Sequence, residues 1–219
     1  MTSTGVAGSV PEVGEMAQPK KKRDVFDVVA VFVLSITAVV TAWCGFQASK
    51  WGGDMSISFS QASSSRIEAV AAEGQARDAR QYDLTIWTQW VLADADANTA
   101  LKAYIEQRFS PEFRVAFDAW NDGGRTAQGP FAVPEYVPPG TAEAQKLGDK
   151  ADAKFAAALA SNQRGDDYTL LTVLFALVLF LTAMSQRDLT TWVRTALLSL
   201  AIIVAIGGVV VLLTFPVLI

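Results

Sequence analysis

The chain predicts an all-α membrane protein, with three transmembrane helices and a helical-bundle extracytoplasmic domain between the first and the second. Three observations carry this expectation. Val28 to Phe46, Tyr168 to Met184 and Thr195 to Phe215 are charge-free runs of about 17–21 residues, against the ~20 helical residues that a bilayer core takes. Of the 219 residues, 51% are apolar, a richness that soluble domains rarely reach. Between the spans, apolar residues recur at helical spacing, and no strand-helix alternation appears.

The chain divides as follows. Residues 1–23 are a disordered cytoplasmic tail, small and polar until the basic run Lys20, Lys21, Lys22 and Arg23. Residues 24–48 form the first span. Its Thr37, Thr41 and Gly45 stand four apart, as small residues do where helices approach closely in lipid. The run is long for a cleaved signal and no small-residue cleavage site follows it. The only cysteine, Cys44, follows Trp43, whereas a lipoprotein acceptor cysteine follows a small residue. One cysteine also excludes an internal disulfide.

Residues 49–166 form the extracytoplasmic helical domain. Lys50 and Trp51 anchor the end of the span, Gly52 and Gly53 permit a bend, and Asp54 caps the helix beyond. Ser56, Ser60, Ser63 and Ser64 share one face of that helix. Phe59, Ala62, Ile67 and Val70, then Leu84, Trp87 and Val91, mark its buried side. The chain reverses in Ala93 to Asn98, rich in Asp and Asn, with Arg80 to Asp83 as the alternative. A second helix buries Leu101, Tyr104, Ile105 and Phe109. Ser110 caps a third, with Pro111 in its first turn and Phe113, Ala116, Phe117 and Trp120 inside. The NDGG stretch ends it.

Residues 122–140 are an irregular loop, laid over the bundle by Phe131, Val133, Tyr136 and Val137. Such a loop also offers a rigid surface to a partner, with Phe131 and Tyr136 as its candidate interaction residues. From Thr141 a helix with Ala144, Leu147, Ala151, Phe155, Ala158 and Leu159 on one side runs without a break into the second span, residues 167–185. Residues 186–194 are a short cytoplasmic loop, and residues 195–216 are the third span. Arg187, Trp192 and Arg194 anchor that loop. Basic residues before the first span and in this loop set the topology: N-terminus cytoplasmic, residues 49–166 and the C-terminus extracytoplasmic.

The combination FQASKW, FSQASSSRIEA, RFSPEFRVAFDAW, PFAVPEY, DDYTLLTVLFALVLF and TFPV resembles a family of uncharacterised bacterial three-span membrane proteins, from about Asp24 to Ile219. The resemblance implies a bacterial plasma membrane and a shared architecture. That family has no assigned activity, so no catalytic residue carries over.

Composition narrows the chemistry. The chain has no histidine and one cysteine, which removes Ser-His and Cys-His nucleophiles, imidazole metal ligands and zinc thiolate sites. Lys50 near the serine run reads as an interfacial anchor, not a dyad base. Asp94 and Asp96 read as a turn, not as the DxD of glycosyltransferases. Gly52 to Asp54 lies outside the spans, unlike the intramembrane aspartyl protease motif. No catalytic residue, cofactor or metal is expected. The short basic run beside the membrane argues against nucleic acid.

The sequence therefore points to a non-enzymatic interaction or accessory module with the lipid bilayer and an unknown protein as partners. Asp54, Asp166 and Asp167 fall at one level and would draw cations to an outer vestibule if the chain were a homo-oligomeric pore. A sensor relaying to a separate protein is a third reading.

Overall fold

The structure, a computed structural model, describes residues 25–219. The tail and Lys20, Lys21, Lys22 and Arg23 lie outside the described residues. Five α-helices follow in order: α1 (Val25–Ala95), α2 (Thr99–Glu106), α3 (Pro111–Asp122), α4 (Thr141–Ser185) and α5 (Thr191–Leu212), with one 3-10 turn at Pro130–Ala132. No strand occurs among the described residues. Parts of α1, α4 and α5 are long and apolar enough to cross a membrane.

The chain forms two compact units. One takes the chain up to Thr41 with Leu174–Val211, the other Ala42–Val173 with Leu212–Ile219. In the first unit, Gly208 is buried against Phe175 and Leu174. A Cβ there would meet the Phe175 ring at 3.0 Å and push it aside, so glycine eases the close approach of α4 and α5. Arg194 joins three elements: it donates to the Ser185 carbonyl at 3.1 Å and to Asp27 at 3.3 Å. Its guanidinium also lies 4.5 Å from the centre of the Phe26 ring.

The second unit is an antiparallel pair of α1 and α4 carrying a helical head. Register follows from contacts: Ala72 against Gly140, Arg66 with Asp152, Phe59 with Phe155, Asp54 with Ser161, and Ala48 and Trp51 against Gly165. The seam is made of small residues at seven-residue spacing. Ser58, Ser65 and Ala72 alternate with Ala62 and Ala69 on α1, facing Ala144, Ala151 and Ala158 on α4, all buried. A sustained seven-residue repeat keeps one stripe facing the partner as two helices wind left-handedly.

This seam keeps Ala62, Ala144, Ala151 and Ala158 of the expected buried faces and corrects their large apolar members. Ile67 and Val70 are 69% and 57% exposed, and Leu84, Val91, Phe155 and Leu159 are also exposed. Small residues win the interface because they bring the two backbones together, which leaves bulky residues on the flanks. The expected bend at Gly52 and Gly53 is absent, since α1 is one helix from Val25 to Ala95. Two interior glycines cost a helix about 1 kcal/mol each, and packing of α1 on α4 on both sides of them offsets that. Asp54 accordingly lies inside a helix and caps nothing; it accepts a 2.6 Å hydrogen bond from Ser161.

The reversal falls at Ala93 to Asn98, as the sequence predicts. Ala97 adopts a left-handed φ of 52°, and the Asn98 N–H returns to the Ala93 carbonyl at 2.9 Å. Both are features of the Schellman ending of a helix. Asn98 then caps α2 through Leu101 N–H at 3.0 Å. Only Ile105 and Phe109 of the predicted α2 face are buried. Leu101 and Tyr104 are 43% and 54% exposed, because Tyr104 turns outward under the Arg108 guanidinium. In α3 all four predicted core residues are buried, and Ser110 and Pro111 open the helix as expected.

Candidate functional site in the aromatic head

The head is a cluster of rings. Trp87 and Trp90, one turn apart on α1, stack at 5.1 Å with planes 10° apart, and Trp120 of α3 stands edge-on to Trp87 at 5.2 Å. Phe109, Phe113 and Phe117 complete the buried part. Ring pairs in these geometries add stabilisation beyond their burial. The indole N–H of Trp90 donates to Glu106 at 2.8 Å and that of Trp120 to the Ala127 carbonyl at 2.8 Å.

The loop of residues 122–140 is fastened to this cluster from inside. Phe131 lies 5.1 Å from Phe113 and 4.9 Å from Tyr136, ring centre to ring centre. The Tyr136 phenol donates to Oδ2 of Asp83 at 2.9 Å, and the Ser110 hydroxyl donates to Oδ1 at 2.8 Å. Ser110 Oγ also accepts the Phe113 N–H at 3.2 Å. Asp83 is 1% exposed. One buried carboxylate therefore ties α1, the start of α3 and the loop together. Burial first, and then the bond to Asp83, push the Tyr136 phenol above its ordinary pKa. At the rim, Asp94 binds Lys102 and lies 3.5 Å from Arg125. The hydrogen bond from Lys102, opposed by desolvation and aided by both cations, holds the Asp94 carboxyl below its usual range. Lys102 and Arg125 also lie 4.8 Å and 5.3 Å from the Trp90 ring centre.

The structure brings Phe131 and Tyr136 together, but facing inward. Asp54 is partnered by Ser161, Asp166 accepts from Asn162 at 3.2 Å, and Asp167 lies 3.8 Å from Arg164. Among the described residues, no group of three or more His, Cys, Asp or Glu is placed to hold a metal ion. Trp51 is partly buried beside Gly165, Arg187 is exposed, and Trp192 is 79% exposed.

Sequence reasoning missed Asp83, which continues the spacing of Ala62 and Ala69 by two further heptads. It also missed Gln47, fully buried, whose amide exchanges two hydrogen bonds with the Leu218 backbone at 3.2 Å and 3.0 Å. Tyr168 donates to the Pro216 carbonyl at 3.0 Å and meets the Phe215 ring at 5.4 Å. Together they strap the last residues onto α1 and α4. No family model matches the chain, and neither a curated protein nor a solved structure matches it.

Proposed function

We propose that the protein is a non-enzymatic integral membrane protein of a bacterial plasma membrane, an interaction or accessory module that presents its head on the extracytoplasmic side. The observation that supports this reading is how the head spends its polar groups. Asp83, Ser110, Tyr136, Trp90, Glu106 and Trp120 are all bonded within the head. They make a rigid scaffold, while Leu101, Tyr104, Val115 and Val137 are left exposed on its surface. Exposed aromatic and apolar residues on a rigid support are what a protein partner uses as anchors.

Phe131 and Tyr136 hold the loop, so the contact falls to its outward residues, Val137 among them. A photo-crosslinking residue at Val137 or Val115, in cells of the source organism, tests this. A discrete adduct that disappears on Leu101→Asp or Val137→Asp substitution supports the module. Uniform absence of adducts from both positions counts against it. The pore reading gains no comparable support, because Asp54, Asp166 and Asp167 each have a partner close by.

A further inference from the structure

The geometry points to one face of the α1–α4 pair as a docking surface for a second copy of this chain. On that face run two adjoining grooves of about 370 and 340 Å³. Phe59, Ser63, Ile67 and Phe155 line the first and Val70, Glu73, Gly148, Asp149 and Asp152 the second, with Arg66 shared between them. Ile67, Val70 and Phe155 are 69%, 57% and 48% exposed. Both helices are uncharged from Met55 to Ser65 and from Phe155 to Gln163.

Self-complementarity selects the occupant. Two copies inserted in the same sense in one bilayer are related by an axis along the membrane normal. When two such faces meet about that axis, α1 of each copy lies against α4 of the other, at the same level. Residues already paired across α1 and α4 therefore meet their counterparts again between copies. Phe59 and Phe155, 5.4 Å apart, become a four-ring cluster. Arg66 and Asp152, 2.5 Å apart with side chains 55% and 71% exposed, become an alternating four-charge ring. At these two levels the face fits its own rotated copy, with cation opposite anion and ring opposite ring, and Glu73 and Asp149 add acidic groups around Arg66 in the second groove. The small residues beneath the grooves allow close approach.

The test is the mass of the purified full chain in mild detergent, by light scattering. The wild type is expected at the mass of two copies. Arg66→Asp is acidic at both positions of the ring and Asp152→Arg is basic at both, so each alone is expected to associate at least ~10-fold more weakly, since like charges face each other. Helical content stays unchanged, because both sites are exposed. Mixed, the two variants are expected to form a hetero-pair, which an intramolecular role alone does not produce. Phe155→Gln, which adds no charge, is expected to run as a single copy. A single-copy wild type overturns the proposal, as do variants that keep the two-copy mass or a mixture that stays apart.

Discussion

The Tyr136 phenol donates to the buried carboxylate of Asp83 across 53 residues of sequence, at 2.9 Å. Asp83 thereby fixes both the loop and the start of α3. Asp83→Ala leaves two partly buried hydroxyls without their acceptor and is expected to cost roughly 2–4 kcal/mol. Tyr136→Phe removes one bond and is expected to cost about 1–2 kcal/mol. Denaturant unfolding followed by near-ultraviolet circular dichroism, which reports the packed tryptophans, measures both. Equal stability of wild type and Asp83→Ala would show that the tie is idle.

The same bond predicts an alkaline limit. The fold holds the Tyr136 proton more tightly than the unfolded chain does. Its contribution is therefore complete below the ordinary phenol pKa near ~10 and is lost as pH rises above it. The phenolate absorbance difference between wild type and Tyr136→Phe should stay flat through pH ~10 and rise only at higher pH. A full signal centred at the ordinary phenol value would contradict the buried bond.

Three backbone positions give opposite expectations. Gly140 has φ 91°, and a Cβ there would lie 2.5 Å from the Ala72 carbonyl oxygen. Gly140→Ala should destabilise by roughly 2 kcal/mol or more. Ala97 sits at φ 52°, so Ala97→Gly should stabilise by about 1 kcal/mol. Gly52 has open space where a Cβ would go, and Gly52→Ala should stabilise by about 0.5–1 kcal/mol. Thermal unfolding in detergent ranks the three variants. A loss at Gly52→Ala would restore the bend that the sequence suggested.

The strap at the other end of this unit is also testable. Gln47→Leu removes both partners of the Leu218 backbone. Amide exchange at Leu218 should then quicken by about ten-fold, the equivalent of one lost hydrogen bond of ~1.4 kcal/mol. Unchanged exchange would mean that Tyr168 holds the segment alone.

Much of the architecture is legible in the sequence, for identifiable reasons. The charge-free runs, the Ser110-Pro111 opening of α3, the reversal at Ala93 to Asn98 and the unbroken α4 each rest on a local signal. At the seam the sequence marks Ala62, Ala144, Ala151 and Ala158 correctly, but hydrophobic size misleads about their larger neighbours where two helices pack backbone to backbone. Ala62, Ala69, Ala151 and Ala158 carry the interface, while Ile67 and Val70 stay outside. The carboxylate tie was hidden because Asp83, Ser110 and Tyr136 converge only once two turns and a loop have closed. Phe131 and Tyr136 stand out in the sequence as aromatic residues a partner could use, but only the closed head shows that they point inward.

The head is proposed to stand on the extracytoplasmic side of the membrane. In a Cys44→Ser background, a single cysteine at Gln128 in the loop, or at Asp188 between α4 and α5, is offered to a membrane-impermeant maleimide on right-side-out membrane vesicles. The account predicts labelling of Gln128→Cys in sealed vesicles, and of Asp188→Cys only after permeabilisation. The reverse pattern, or equal labelling of both in sealed vesicles, would contradict it.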